Sequence, residues 1–220
     1  MITSNITYDG HFMGHPINTE EAKGYGCHME ILYRTKLIFE YMLSHLNSIF
    51  FFSCVLTFKQ GLYFPSDNSI LSSFLAYYIQ KLKSKDKYLY PMYLWTRECT
   101  SIEHQHYHLN IWMNGDRTQN EYGHLMLADH MWQDKLCLTC KPNSGLVDFC
   151  NKDNDGNPRI NGMIISKSCP DFKSTYDFCF WRVSYTAKIS SKGNTSIHQK
   201  EFGSSILPSI IINHNQKENL

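Results

Sequence analysis

The chain has 220 residues, a formal net charge of +1, 42% hydrophobic residues and 14% aromatic residues. That length supports a sizeable core without disulfide staples, and the near-neutral balance excludes a protein that coats nucleic acid by charge alone, so any basic surface has to be local. The longest apolar run, Ile49 to Phe58, falls far short of the roughly 20 residues a membrane-spanning helix needs, and the eight cysteines behind a polar N-terminus are expected as reduced thiols of a cytoplasmic protein with no membrane partner.

Residues 1–27 carry Gly, Asn, Thr and Pro without periodicity and are expected to form a loosely ordered arm. From His28 to His45, Ile31, Leu32, Leu37, Ile38, Tyr41 and Met42 fall at helical spacing, which predicts an amphipathic helix ending near Asn47. Phe50 to Phe58 is β-prone and apolar on both sides, as suits a central strand covered on each face. Pro65-Ser66-Asp67-Asn68 supplies turn and capping chemistry before a second helical stripe of Leu71, Phe74, Leu75, Tyr78, Ile79 and Leu82. Lys81, Lys83, Lys85 and Lys87 then suit a helix C-terminus.

Leu89 to Arg97 reads as a strand, antiparallel to the segment that follows the Cys99-Thr100-Ser101 loop. That segment, Glu103 to Trp112, places His104, His106 and His108 at alternate positions in an apolar run. In a strand the three imidazoles share one face, and Tyr107, Leu109 and Ile111 share the other. Imidazoles one residue apart lie close enough to hold one divalent ion. Glu98, at the end of the preceding strand, brings a carboxylate within reach of them.

Gly115 closes this strand. Thr118 to Cys140 has helical spacing, and Gly145 to Phe149 looks like a further strand followed by a turn. The Asp153, Asp155 and Gly156 positions in that turn lack the closing Glu of a calcium loop. Cys137-Leu138-Thr139-Cys140 is a lone pair without the second pair of a zinc site. From Asp171 to Lys188 the pattern is helical again and puts Tyr185 and Lys188 about one turn apart. Residues 207–220 are expected as a mobile polar tail.

A phenol, a neighbouring ammonium group and a metal held by imidazoles suit attack on a phosphodiester. Tyr185 is the candidate nucleophile, Lys188 a candidate cation beside it, and the ion on His106 and His108 a Lewis acid at the phosphate.

His106-Tyr107-His108 resembles the His-hydrophobic-His motif, and Tyr185-Thr186-Ala187-Lys188 the Tyr-x-x-Lys motif, of HUH endonucleases that start rolling-circle replication. The set is most similar to the gene-two replication proteins of filamentous phages and prophages. The likeness also takes in Phe52 to Phe58, Trp95-Thr96-Arg97-Glu98, Gly145-Leu146-Val147 and Glu201-Phe202-Gly203-Ser204-Ser205, and covers roughly residues 28–206, expected as one domain. It implies an α+β fold with a central antiparallel sheet of ferredoxin or RRM type flanked by helices. It further implies a nick in single-stranded or origin DNA through a 5′-phosphotyrosine, Mg2+ or Mn2+ as cofactor, and a host helicase and polymerase as partners. Glu98 is the first choice as third metal ligand and His104 the second, while Arg97 and Lys192 are the expected DNA contacts. The alternatives are an inactive single-stranded DNA-binding module and an HUH transposase.

Overall fold

The computed structural model describes residues 6–99, 105–139, 141, 144–153, 155–189 and 199–208. Its first four strands, β1 (Ile6–Thr7), β2 (His11–Phe12), β3 (His15–Pro16) and β4 (Cys27–His28), pair antiparallel as β1 with β4 and β2 with β3. The expectation of a loosely ordered arm over residues 1–27 is therefore corrected for residues 6–27, where Phe12, Ile17 and Cys27 are buried. The arm is fastened to the far end of the chain: His15 Nδ1 lies 2.8 Å from Asp177 Oδ1, and the Asn18 amide donates to Ser184 Oγ at 2.7 Å. Two-residue strands are too short to show a period, and these partners lie 162 and 166 positions away. Nothing local in the sequence announces either one.

α1 (Met29–His45) follows directly and buries Ile31, Leu32, Thr35, Ile38, Phe39 and Met42, a stripe at three- and four-residue spacing. The chain then turns extended at Leu46 and enters β5 (Ser48–Thr57). Phe50, Phe51 and Phe52 are each at most 2% exposed, and burying one such ring contributes about 1.5–3 kcal/mol. That run puts β5 inside the sheet. Phe50, Phe52, Cys54 and Leu56 point to one side, whereas Ile49 and Phe51 point to the other. Beyond Phe51 the second side changes character, to Ser53, Val55 and Thr57, all only partly buried.

α2 (Ser69–Lys85) carries the expected stripe, and the Ser69 amide donates to Asp67 Oδ1 at 2.9 Å as the helix starts. β6 (Met92–Cys99) and β7 (Gln105–Asn114) are antiparallel neighbours, in the register Glu98 opposite His106 and Thr96 opposite His108. α3 (Glu121–Lys135) is shorter than the expected 118–140, capped by Asn120 Oδ1 accepting from the Gly123 amide at 2.9 Å. At its other end Cys137 adopts φ 54°, a left-handed backbone that stops a helix.

The sheet is completed by β8 (Val147–Asp148) and β9 (Met163–Ser166), both paired with β5, and, after α4 (Phe172–Ser184), by β10 (Phe202–Ser204), paired with β6. All pairings are antiparallel, giving the order β10-β6-β7-β5 with β8 and β9 sharing the outer edge of β5. Between those two short strands the Asn161 side chain takes the place of a backbone: its Oδ1 accepts from Ser53 N (2.9 Å) and its Nδ2 donates to Ser53 O (2.7 Å). α2 and α3 cover one face of the sheet, α1 and α4 the other. The expected α+β class with an antiparallel sheet and flanking helices is what the chain adopts. β9 and β10 were not among the expected strands. No helix among the described residues is long and apolar enough to cross a membrane. Leu207 is buried and Pro208 exposed, and residues 209–220 of the expected tail lie outside the described residues.

Candidate metal centre and the phenol beside it

On the α1/α4 face the period-two alternation of β6 and β7 brings Glu98, His106 and His108 together. Glu98 Oε2 lies 3.3 Å from His106 Nε2 and 3.2 Å from His108 Nε2. The imidazole centroids are 5.2 Å apart, with their planes at 67°. One donor atom from each of the three residues falls within 4.8 Å of the others. The other face of the same strand is core: Tyr107, Leu109 and Ile111 are fully buried.

The donor set fits a divalent ion. His108 Nε2 is buried and, although close to the Glu98 carboxylate, finds no properly directed hydrogen-bond partner. An imidazole nitrogen left unsatisfied beside a buried carboxylate costs free energy that coordination would recover. Two imidazoles and one carboxylate suit several first-row metals, so the donors alone do not choose the chemistry.

The phenol arrives from across the layer. α4 ends at Ser184 and continues as a 3-10 turn, Tyr185–Ala187, in place of the expected unbroken helix to Lys188. The N-terminal arm draws the chain out of the helix. Lys188 bridges antiparallel to Cys27, the Ile189 amide donates to Gly26 O at 3.0 Å, and Ser184 Oγ is engaged by Asn18. The turn sets the Tyr185 ring 6.0 Å from the His108 ring, centroid to centroid, with 45% of the residue exposed. Lys188 Nζ sits 4.1 Å from the Tyr185 ring centroid and 5.0 Å from that of Tyr25.

Burial works on both groups. It raises the Tyr185 pKa, and the nearby Glu98 charge adds to the rise while Arg159 opposes it. It lowers the Lys188 pKa, against the opposing pull of Cys27, Glu98 and Glu20. Each shift favours the neutral form of its group, as expected where a polar site is partly withdrawn from water.

The structure thus gathers Glu98, His106, His108, Tyr185 and Lys188. His104 and Lys192 lie outside the described residues. Arg97 is not brought to the site. It shares the α2/α3 face with Trp95, is 4% exposed, and its guanidinium donates to Gln199 Oε1 (2.7 Å) and Gln105 Oε1. Side chains that sequence reasoning missed also stand here: Asn110 and Ser53, joined by a 2.8 Å hydrogen bond, and Arg159 and Trp181 along a cleft that runs from His108 past Tyr185. Asn110 continues the period-two face of the histidines, a signal that was present in the sequence; the other three depend on tertiary placement.

The family model described as the YagK/YfjJ C-terminal domain matches residues 10–205, and the chain belongs to that family. No curated protein matches the chain.

Proposed function

We propose that this member of the YagK/YfjJ C-terminal domain family is a metal-dependent endonuclease and strand transferase for single-stranded DNA, of the HUH type, with Tyr185 as nucleophile. One observation carries the reading: a carboxylate and two imidazoles converge beside a tyrosine that has a lysine ammonium group against its ring. The donor set alone would serve many reactions. The phenol within reach of it narrows the choice to covalent attack. A histidine pair on an inner strand of an antiparallel sheet, faced by a tyrosine at a helix end, is also in keeping with the ferredoxin-like arrangement that the HUH resemblance implies.

In this mechanism Tyr185 Oη attacks phosphorus and the bond from phosphorus to the 3′ oxygen breaks. The phenolic proton passes to solvent and the departing oxygen takes one up, leaving a 5′-phosphotyrosine and a free 3′-hydroxyl. Lys188, beside the ring, stabilises the negative charge that grows on the phenolic oxygen. Its partial burial strengthens that effect, since the charge is less screened. Glu98, His106 and His108 are the residues that would hold Mg2+ or Mn2+, which would supply Lewis-acid charge to the phosphate. The phosphotyrosine preserves the energy of the broken ester for later rejoining, and the 3′-hydroxyl serves a host polymerase, with unwinding left to a host helicase.

The test is covalent capture. Labelled single strands from the replicon that encodes the protein, incubated with it and Mn2+, are expected to give a band resistant to denaturant that is lost with EDTA and in Tyr185→Phe. An adduct of undiminished yield in Tyr185→Phe removes Tyr185 from the mechanism.

A further inference from the structure

The cleft beside Tyr185 has a volume of about 340 Å³, near the lower end of the roughly 300–1,000 Å³ usual for small-molecule sites. It has room for a nucleotide and not for a duplex. His108 and Tyr185 are among the residues that line it, so whatever fills it borders the reacting phosphate. Asn110 lines it as well; it is 1% exposed and its Nδ2 has no hydrogen-bond partner, although its Oδ1 accepts from Ser53 Oγ. A buried amide donor left unpaired in the lining of a cleft is costly unless a ligand acceptor completes it.

The walls supply what a nucleotide needs elsewhere. Trp181 is half-buried and stacks with exposed Phe178, at 6.3 Å between ring centroids and 26° between planes. Lys152 and Arg159 are exposed and line the same cleft. Arg182 also lines the cleft, but its guanidinium is occupied with Ile160 O and Asn161 Oδ1. Two carboxylates also line it. Asp153 accepts from the amides of Asp155 and Asn157, and Asp148 from the amide of Cys150, so both are bound to their own loop.

We infer that this cleft seats one unpaired nucleotide of the strand being cut, its base against Trp181, its phosphate on Arg159 and Lys152, and an acceptor atom of the base on Asn110 Nδ2. This deepens the endonuclease reading and rests on it for the identity of the strand. Base stacking on an aromatic side chain combined with cations on the backbone is the general chemistry of single-strand recognition.

The experiment is tryptophan fluorescence in EDTA, where no cleavage interferes. Trp95, Trp112 and Trp132 are buried, so the emission lost in Trp181→Phe reports the cleft. The probes are dT12, dC12 and dA12, with a 12-residue abasic strand as a control that has the same phosphates. The expected result is saturable quenching by the base-bearing strands that vanishes in Trp181→Phe. About tenfold weaker binding is expected for the abasic strand and for Arg159→Ala. Equal quenching by the abasic strand, or Arg159→Ala binding as the unaltered protein does, overturns the inference. The two readings fail separately: an adduct with Mn2+ but no cleft signal sinks only the cleft, whereas a cleft signal with no adduct sinks only the nuclease.

Discussion

Histidines stand on both faces of the sheet, and the two faces use them differently. On the α2/α3 face His124 stacks against Phe52, with centroids 5.7 Å apart and planes at 9°, and shares a 2.7 Å hydrogen bond with Thr118 Oγ1. Burial, and to a smaller extent the charge of Lys85, lower its pKa to about 4. It is a packing residue kept neutral. On the α1/α4 face His106 and His108 bring their Nε2 atoms to 3.3 and 3.2 Å from a carboxylate oxygen, next to a phenol. The closed face is lined by Phe50, Phe52, Cys54 and Leu56, while the open one gives up apolar contacts from Ser53 to Thr57. One strand, β5, therefore helps to build a core on one side and a site on the other.

The sharpest test of that contrast is stability. Phe52→Ala is expected to cost about 3–5 kcal/mol in urea unfolding, through the cavity it leaves in the closed face, and Val55→Ala under about 1 kcal/mol. Comparable losses would mean that the open face is packed as tightly as the closed one. Next in size is metal binding. His106→Ala with His108→Ala should weaken Mn2+ by more than about 100-fold in calorimetry, since even outer-shell changes cost about 10–100-fold. His124→Phe should leave Mn2+ affinity as it was.

The smallest effect concerns acid. The unfolded chain takes up a proton at His124 near pH 6.5, whereas the folded chain resists until about pH 4. Stability contributed by this site is therefore complete above 6.5 and lost as pH falls towards 4. The loss is on the order of 2 kcal/mol once discounted for the partial exposure of the ring. Urea midpoints for the protein and His124→Phe at pH 7 and pH 4.5 check it, the difference between their slopes being the contribution of His124.

Elements whose signal is local were legible in the sequence. α1, α2, β5 and the β6–β7 pair follow from periodicity and turn chemistry, and the alternation of β7 separates histidines from core. The convergence of Glu98 with the histidine pair follows from that pairing. The same alternation puts Arg97 on the face away from Glu98 and the histidines, a separation that could be read in the strand. β9, β10 and the N-terminal arm were not legible, because short strands acquire meaning only through partners far along the chain. The approach of Tyr185 to His108 depends on the packing of α4 over the sheet, and the 3-10 turn that aims the ring on bonds from an arm that shows no period.

The seam where the Asn161 side chain replaces a strand residue has a chemical consequence. Its successor is Gly162, and asparagine before glycine is the context most prone to cyclise and hydrolyse to aspartate, because no side chain hinders the attacking amide. A carboxylate at this spot would face the carbonyls of Ser53 and Phe149, which now accept from Nδ2. The bonds that knit the edge also hold the carboxamide still and slow this ageing. Any episode that loosens the seam exposes it to a spontaneous change that removes the donor now shared by the Ser53 and Phe149 carbonyls.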